Sequence, residues 1–460
     1  MKGNQYAERV LQFGGGNFLR AFSNWMIDIL NKEQDFDGSV IIIKPTENGD
    51  YPALRNQQGR YHIITKGIQN GDLVSNIHQV TSISRIIHPY NEWQQFISTA
   101  ELELMRFIIS NTTESGIRYV EEEFTPDSCP KEFPAKITLW LYHRWQHFDG
   151  NNGKGCIILP CELIEDNATK LKECILQHIQ NWNLGSGFKE WIINSNYFCN
   201  TLVDRIVPGK PKGLQENETL KNDDLLVMAE PYHLWAIEAP DLVKEELPFQ
   251  ETDLNVVFTD DLTPYRKMKV RILNGAHTGM VPVGYLHGLS TVREAVEDDT
   301  VGTHIRELLY EEIMPTLDFP KPETEAYIKA TIDRFRNPYV DHQLLSISLN
   351  SITKFRYRLL PSLLDYVNKF NKIPDRISTS LSSLIIFYLG KYKGETIPRR
   401  DDASIIRYFD NLRQDWEVNQ QMESVITSIL SRADFWGQDL NEIEELNEIL
   451  TKKVTDKIDY

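Results

Sequence analysis

The chain has 460 residues, 41% hydrophobic and 25% charged, values ordinary for a globular protein and too many residues for one core, so two domains are expected. Its 49 Lys and Arg against 66 Asp and Glu give a formal net charge of −17, a surface that repels nucleic acid and anionic membranes. No apolar run approaches the roughly 18 residues of a membrane helix, and the N-terminal MKGNQYAERVLQF has no apolar signal core, so the expected location is the cytoplasm.

In chain order, RVLQF reads as a strand, NFLRAFSNWMIDILN as one amphipathic helix and SVIIIKP as a second strand. RFIISNT, GCIILP and WIINS follow as further short apolar strands, with helices such as NATKLKECILQHIQNW between them. Buried strands alternating with helices predict a Rossmann-type, doubly wound parallel sheet. The last strand and a proline-bearing turn fall in NVVFTDDLTPY, after which the pattern becomes helical to the end. The expected architecture is an α/β domain over residues 1–260 and a mainly α-helical domain over 261–460. A ligand is expected between them, outside the carboxyl ends of the parallel strands.

The cysteines, Cys129, Cys156, Cys161, Cys174 and Cys199, are odd in number and show no CxxC spacing. With no HExxH among the histidines, neither a disulfide framework nor a metal site is expected.

Gly14-Gly15-Gly16 directly after the first strand fits a turn that brings backbone close to a dinucleotide pyrophosphate, with Gly14 and Gly16 as the first two glycines of GxGxxG. The third glycine position holds Leu19, and a plain glycine-rich surface turn is the competing reading. After the second strand, IIIKPTENGD carries Lys44 and Pro45 where a ribose-binding acid is often found, with Glu47 and Asp50 slightly later. NAD against NADP therefore stays open, and Lys44 is a candidate partner for a 2′-phosphate.

The second constellation is KVRILNGAH. Lys269, Asn274 and His277 stand at i, i+5 and i+8; at about 100° per residue His277 lies about 80° and Asn274 about 140° around the helix from Lys269. An amine, an amide and an imidazole directed to one cleft suit proton transfer to, and orientation of, a carbonyl or hydroxyl. The competing reading is a solvated lysine with an asparagine capping ahead of Gly275.

GGGNF, FCNTLVDRIVPG and KVRILNGAH together resemble the polyol-specific long-chain dehydrogenases, the mannitol dehydrogenase family. The second stretch is similar to the family's N-S/T-hydrophobic-V-D-R-I-x-P segment, the third to its K-x4-N-x2-H motif. The resemblance implies a nicotinamide cofactor and no metal. It implies Lys269 as general acid/base, Asn200 and Asn274 holding the reacting oxygen, and His277 orienting the substrate. Gly15, Asn17 and Phe18 of GGGNF and Thr113 and Glu114 of SNTTESGI complete the cofactor-binding candidates. Asp204 and Arg205 of VDRI are read as a structural pair.

Eight residues before Lys354, where mannitol dehydrogenases resemble one another in having arginine, this chain has Ser346. The surrounding LLSISLNS is similar to the hexuronate-reducing branch, which implies a sugar-acid substrate: D-tagaturonate to D-altronate, reversibly. D-fructuronate to D-mannonate, or a hexitol oxidation, remain the neighbouring alternatives, and a non-catalytic nucleotide-sensing protein the alternative of another class. A negatively charged substrate approaching a chain at −17 needs local cations. Lys354 and Arg356 are the candidates, with His342, Ser346, Asn350 and Ser351 beside them; Lys354, sharing a face with Asn350, is preferred. The sequence leaves oligomeric state open.

Overall fold

The structure, a computed structural model, describes residues 6–113, 115–211 and 218–458. It divides into two compact units, one of Met1–Lys66 with Leu73–Leu262, the other of Gly67–Asp72 with Thr263–Tyr460.

The strands of the first unit are β1 (Ala7–Phe13), β2 (Gly38–Ile43), β3 (Tyr61–Gln69), β4 (Asp72–Val80), β5 (Ile83–Ile87) and β6 (Phe107–Ser110). They continue as β7 (Ile157–Pro160), β8 (Tyr197–Phe198), β9 (Thr201–Asp204), β10 (Val227–Ala229), β11 (Leu234–Glu238) and β12 (Val256–Thr259). A six-stranded sheet runs β5-β2-β1-β6-β7-β8 with every pair parallel. This is the doubly wound arrangement in which the strand order turns back between β1 and β6, the place where such sheets bind dinucleotides.

Side-chain alternation explains why both faces are covered. Val10, Val40, Ile42, Ile109, Ile157 and Leu159 enter one apolar cluster. Their neighbours Leu11, Phe13, Ile41, Ile43, Ile108 and Ile158 enter another. A parallel strand flanked by helices on both sides is apolar at most positions, and all of β2 is buried.

Two expectations are corrected. WIINS is not a strand; it closes the helix Ser186–Ser195, and the strand is the two-residue β8 that follows. Its buried residues Phe188, Trp191, Ile192 and Ser195 fall at i, i+3, i+4 and i+7, a helical period that a five-residue window hides. The helix after the glycines is two pieces, Asn17–Arg20 and Ser23–Glu33. The break at Phe22 (φ −129°, ψ −93°) is stitched by Ser23 Oγ donating to Leu19 O and Tyr61 Oη donating to Arg20 O. The smaller sheets β10-β3-β4 and β12-β11-β9 were not foreseen.

The second unit is helical. Helix Asp375–Leu389, buried at twelve of its fifteen positions, forms its centre and packs against Gly275–Leu286 and Leu446–Ile458. Among the described residues no helix is long and apolar enough to cross a membrane.

Candidate active site

The glycine turn sits at the carboxyl end of β1, beside the loop that follows β6: a Cβ on Gly14 would lie 3.1 Å from Asn111 O. Gly14 has φ +113°, a backbone conformation that L side chains rarely adopt. Three buried or half-buried side chains fasten the turn. Gln12 Nε2 donates to Gly14 O (2.9 Å) while its Oε1 accepts from Ser23 Oγ and Asn24 Nδ2. Arg20 Nη1 donates to Gly15 O (3.2 Å) and Nη2 to Asn17 Oδ1 (2.7 Å). Tyr51 Oη accepts from Gly15 N (3.0 Å). Gly14 N donates to Ile43 O, so of the three glycines only Gly16 keeps an N–H without a partner among the described residues. Gly16 is exposed, its φ of −69° suits any residue, and nothing lies within 4 Å of where its Cβ would stand. That open space in front of a fastened turn is what a pyrophosphate needs.

Leu19, which stands where the fingerprint has its third glycine, is buried, with its Cδ1 3.4 Å from a Cβ on Gly14. Phe18 stacks on Phe22 at 4.9 Å. Thr113, after β6, has φ +121°, a strained value for a β-branched residue. Glu114 lies outside the described residues. Lys44 is buried and folded back on its own loop, donating to Asn48 O (2.8 Å), Thr46 O (3.1 Å) and Thr46 Oγ1. This ammonium is already committed, which removes the sequence-based argument for a 2′-phosphate.

Asn200 stands just before β9, 9% exposed. Its Oδ1 accepts from Ala168 N (3.1 Å) and Thr169 N (3.0 Å) at the start of helix Asn167–Asn181, which fixes which way the amide N–H2 points. Arg205 is a buried structural group: it donates to Ala21 O (2.5 Å) and Glu230 O (3.1 Å) and lies 4.1 Å over Trp25, and burial holds its pKa down at about 9.

In the second unit the sequence's straight helix is interrupted. Thr263–Met268 and Gly275–Leu286 are α-helical, but Lys269–Asn274 between them is π-helical. Closing i→i+5 instead of i→i+4 widens the turn and brings residues five apart nearer one face, so the 140° separation expected of Lys269 and Asn274 shrinks. Single π turns inside α-helices are frequent at functional sites, and this unit holds a second one at Leu308–Ile313. The Asn274 side-chain amide has no hydrogen-bond partner among the described residues. Arg271, three residues before it, turns away to Asp365 (2.5 Å).

His277 packs against Phe335 (ring centroids 4.5 Å) and His342 (5.3 Å), and its Nε2 is buried without a partner. Burial first, then the charges of His342, Arg334, Arg358 and Lys354, push its pKa well below the ordinary histidine value, so the ring is neutral at pH 7. Lys354 is half-buried and donates to Ile347 O (2.7 Å); burial and Arg358 lower its pKa against the pull of Asp401. His342, lowered by burial and Lys354, completes the group.

Not every candidate joins it. Arg356 points elsewhere: Nη1 donates to Asp434 O (3.2 Å) and the guanidinium lies against Gly437. Ser346 is exposed and its Oγ donates to Gln343 O (2.7 Å), Ser351 Oγ donates to Ser348 O, and Asn350 starts helix Ser351–Arg358 at φ +54°. Gln12, Arg20, Tyr51, Arg334 and Arg358 were missed in the sequence. Arg20 and Arg358 could have been noticed as cations close to motifs already singled out; the others become visible only through contacts across the fold.

The sequence model of the mannitol dehydrogenase Rossmann domain matches residues 8–251, and that of the mannitol dehydrogenase C-terminal domain matches 261–457. The chain belongs to the mannitol dehydrogenase family. Within this family it is 43% identical over 448 residues to altronate oxidoreductase of Bacillus subtilis (strain 168), covering 96% of this chain and 91% of that one. It is 42% identical over 454 residues to altronate oxidoreductase of Shigella flexneri, covering 97% and 93%. Among solved structures, D-sorbitol dehydrogenase in substrate-free form superposes with TM-score 0.76 at 18% identity over 99% of this chain and 95% of that chain. Pseudomonas fluorescens mannitol 2-dehydrogenase, a ternary complex with NAD and D-mannitol, gives 0.65 at 20% identity, covering 99% and 94%. These two share the fold of the Rossmann-type sheet with a helical second part.

Proposed function

We propose that this chain is a cytoplasmic NAD-dependent oxidoreductase that interconverts D-tagaturonate and D-altronate. The cofactor is assigned to the domain of residues 1–260, at Gly14, Gly15, Gly16, Asn17, Phe18, Thr113 and Glu114, and the sugar acid to 261–460. The fit rests on the fastened turn, the open space before Gly16 and its unused N–H. When bound, NAD supplies or accepts the hydride at the substrate carbon.

The chain's own groups handle the oxygen and its proton. In the reducing direction negative charge develops on the carbonyl oxygen; Asn200 and Asn274 donate N–H to it, and the Lys269 ammonium gives it a proton. In the oxidising direction a neutral Lys269 takes the hydroxyl proton. His277, held neutral, orients the substrate by hydrogen bonding without adding a competing charge. No Lewis acid is required, because an ammonium and two amides supply the same stabilisation.

The observation that carries the sugar-acid reading is the gathering of Lys354, Arg358 and Arg334 about His277 in a chain of net charge −17. The two relatives named altronate oxidoreductase support the same substrate. Following NADH and NADPH absorbance with D-tagaturonate and D-fructuronate tests it. Faster turnover of D-tagaturonate with NADH is expected; preference for D-fructuronate would move the protein to the mannonate reaction, and no cofactor turnover at all would leave only a nucleotide-sensing role.

A further inference from the structure

Helix Ser351–Arg358 brings its last residue against the start of helix Gly275–Leu286: a Cβ on Gly275 would stand 3.5 Å from Arg358 O and 3.3 Å from Leu359 Cδ2. Gly275 is two residues before His277, and Arg358 is four residues after Lys354, on the same helix face. One short helix thus carries two cations, Lys354 and Arg358, whose charges act on the His277 ring.

Their situations differ. Lys354 is anchored through its ammonium to Ile347 O, and Asp401 attracts it. Asp401 is itself bonded to the Tyr388 hydroxyl. Arg358 is half-buried and makes no side-chain hydrogen bond or ion pair among the described residues; the charged groups it acts on are Lys354 and the His277 ring. Three other arginines of this unit face a carboxylate: Arg271 with Asp365 (2.5 Å), Arg376 with Glu307 (2.6 Å) and Arg399 with Asp410 (2.9 Å). A guanidinium partly withdrawn from water and beside the Lys354 ammonium is left with a desolvation cost and a repulsion that no described residue offsets. An anion removes both. Its planar fork suits a carboxylate in particular, which it can hold with two parallel hydrogen bonds, whereas an ammonium offers a single point of charge.

We propose that Arg358 is the specificity-determining residue that binds the carboxylate of the sugar-acid substrate, with Lys354 beside it positioned on the neighbouring hydroxyls. This rests on the sugar-acid reading above and sharpens it to one side chain. Ser346, exposed and turned back on its own helix, has no charge to contribute, and Arg356 faces Asp434.

The test compares Arg358→Gln and Arg358→Lys with the unmodified chain, using D-tagaturonate and its uncharged counterpart D-tagatose with NADH. Loss of a charge-assisted hydrogen-bond pair should raise KM for D-tagaturonate ~10- to 100-fold in Arg358→Gln. The kcat and the D-tagatose parameters should stay within about threefold, since neither depends on that contact. Arg358→Lys, keeping charge but not the fork, should fall between. NADH affinity and melting temperature should not drop in either variant. Equal losses on both substrates, or an unchanged KM for D-tagaturonate, overturn the proposal. If the unmodified chain already handles D-tagatose as well as D-tagaturonate, the sugar-acid reading fails and this inference with it. If it prefers D-tagaturonate and Arg358→Gln keeps that preference, only the inference falls.

Discussion

In the proposed site the Gly14–Gly16 turn offers the cofactor a main-chain group, the N–H of Gly16, which has no partner among the described residues, on a turn held in place by Gln12, Arg20 and Tyr51. Along Lys269–His277 they are side chains, an ammonium, an amide and a neutral imidazole, set on a helix whose π turn decides which of them share a face. The first region needs space and a fixed backbone; the second needs particular chemical groups at particular angles. Damage to the turn should therefore appear in cofactor affinity, and damage to the helix in turnover.

The largest effect should come from the helix. Lys269→Met keeps the length but removes the proton carrier, and turnover should fall on the order of 10²–10⁴-fold with NADH affinity unchanged. Near-normal turnover in steady-state assays would move the acid-base role to another group. At the turn, Gly16→Val places a branched side chain in the open space before the N–H while its backbone conformation remains allowed. NADH binding measured by calorimetry should weaken by at least about tenfold with the fold intact, as expected where backbone must approach the pyrophosphate. Unchanged affinity would mean that the dinucleotide does not lie there.

A smaller contrast separates two cations of one helix. Lys354→Ala should raise KM for D-tagaturonate by roughly tenfold, the scale of a lost charge-assisted hydrogen bond. Arg356→Ala should change it by less than about threefold, because its side chain reaches Asp434 instead. Similar effects in the two variants would erase the distinction between them.

The smallest effect is on stability and should touch both units. Burial holds His233 of the first unit at about 4 and His304 of the second at about 3. Unfolded histidine takes a proton near pH 6.5, so below that value the unfolded chain binds more protons and stability falls as pH drops toward the folded values. Denaturant midpoints should decline from about pH 6.5 downward. His304→Gln, which retains a polar partner for Ser380 Oγ, should flatten the decline. A midpoint independent of pH between 7 and 5 would contradict this.

Much of the first region was readable because its signal is local. Four strands of the six-stranded sheet, β1, β2, β6 and β7, announced themselves as apolar runs, and the glycines followed the first of them. WIINS misled because its helical period shows only when Phe188 is included, and the break at Phe22 cannot be seen in a continuous apolar pattern. In the second region Lys269, Asn274 and His277 were legible as residue types, but the π turn that relates them was not, since i→i+5 closure leaves no mark on composition. Arg356 and Arg358 are both simply cations in sequence; only packing against Gly275 in one case and Asp434 in the other tells them apart.

The most direct test of the account is kcat/KM for D-tagaturonate against D-tagatose, measured with NADH on the unmodified protein. If the helical unit reads a negative charge beside His277, D-tagaturonate should be favoured on the order of 100-fold, the scale of a charge-assisted contact. Equal values, or a preference for D-tagatose, would contradict it.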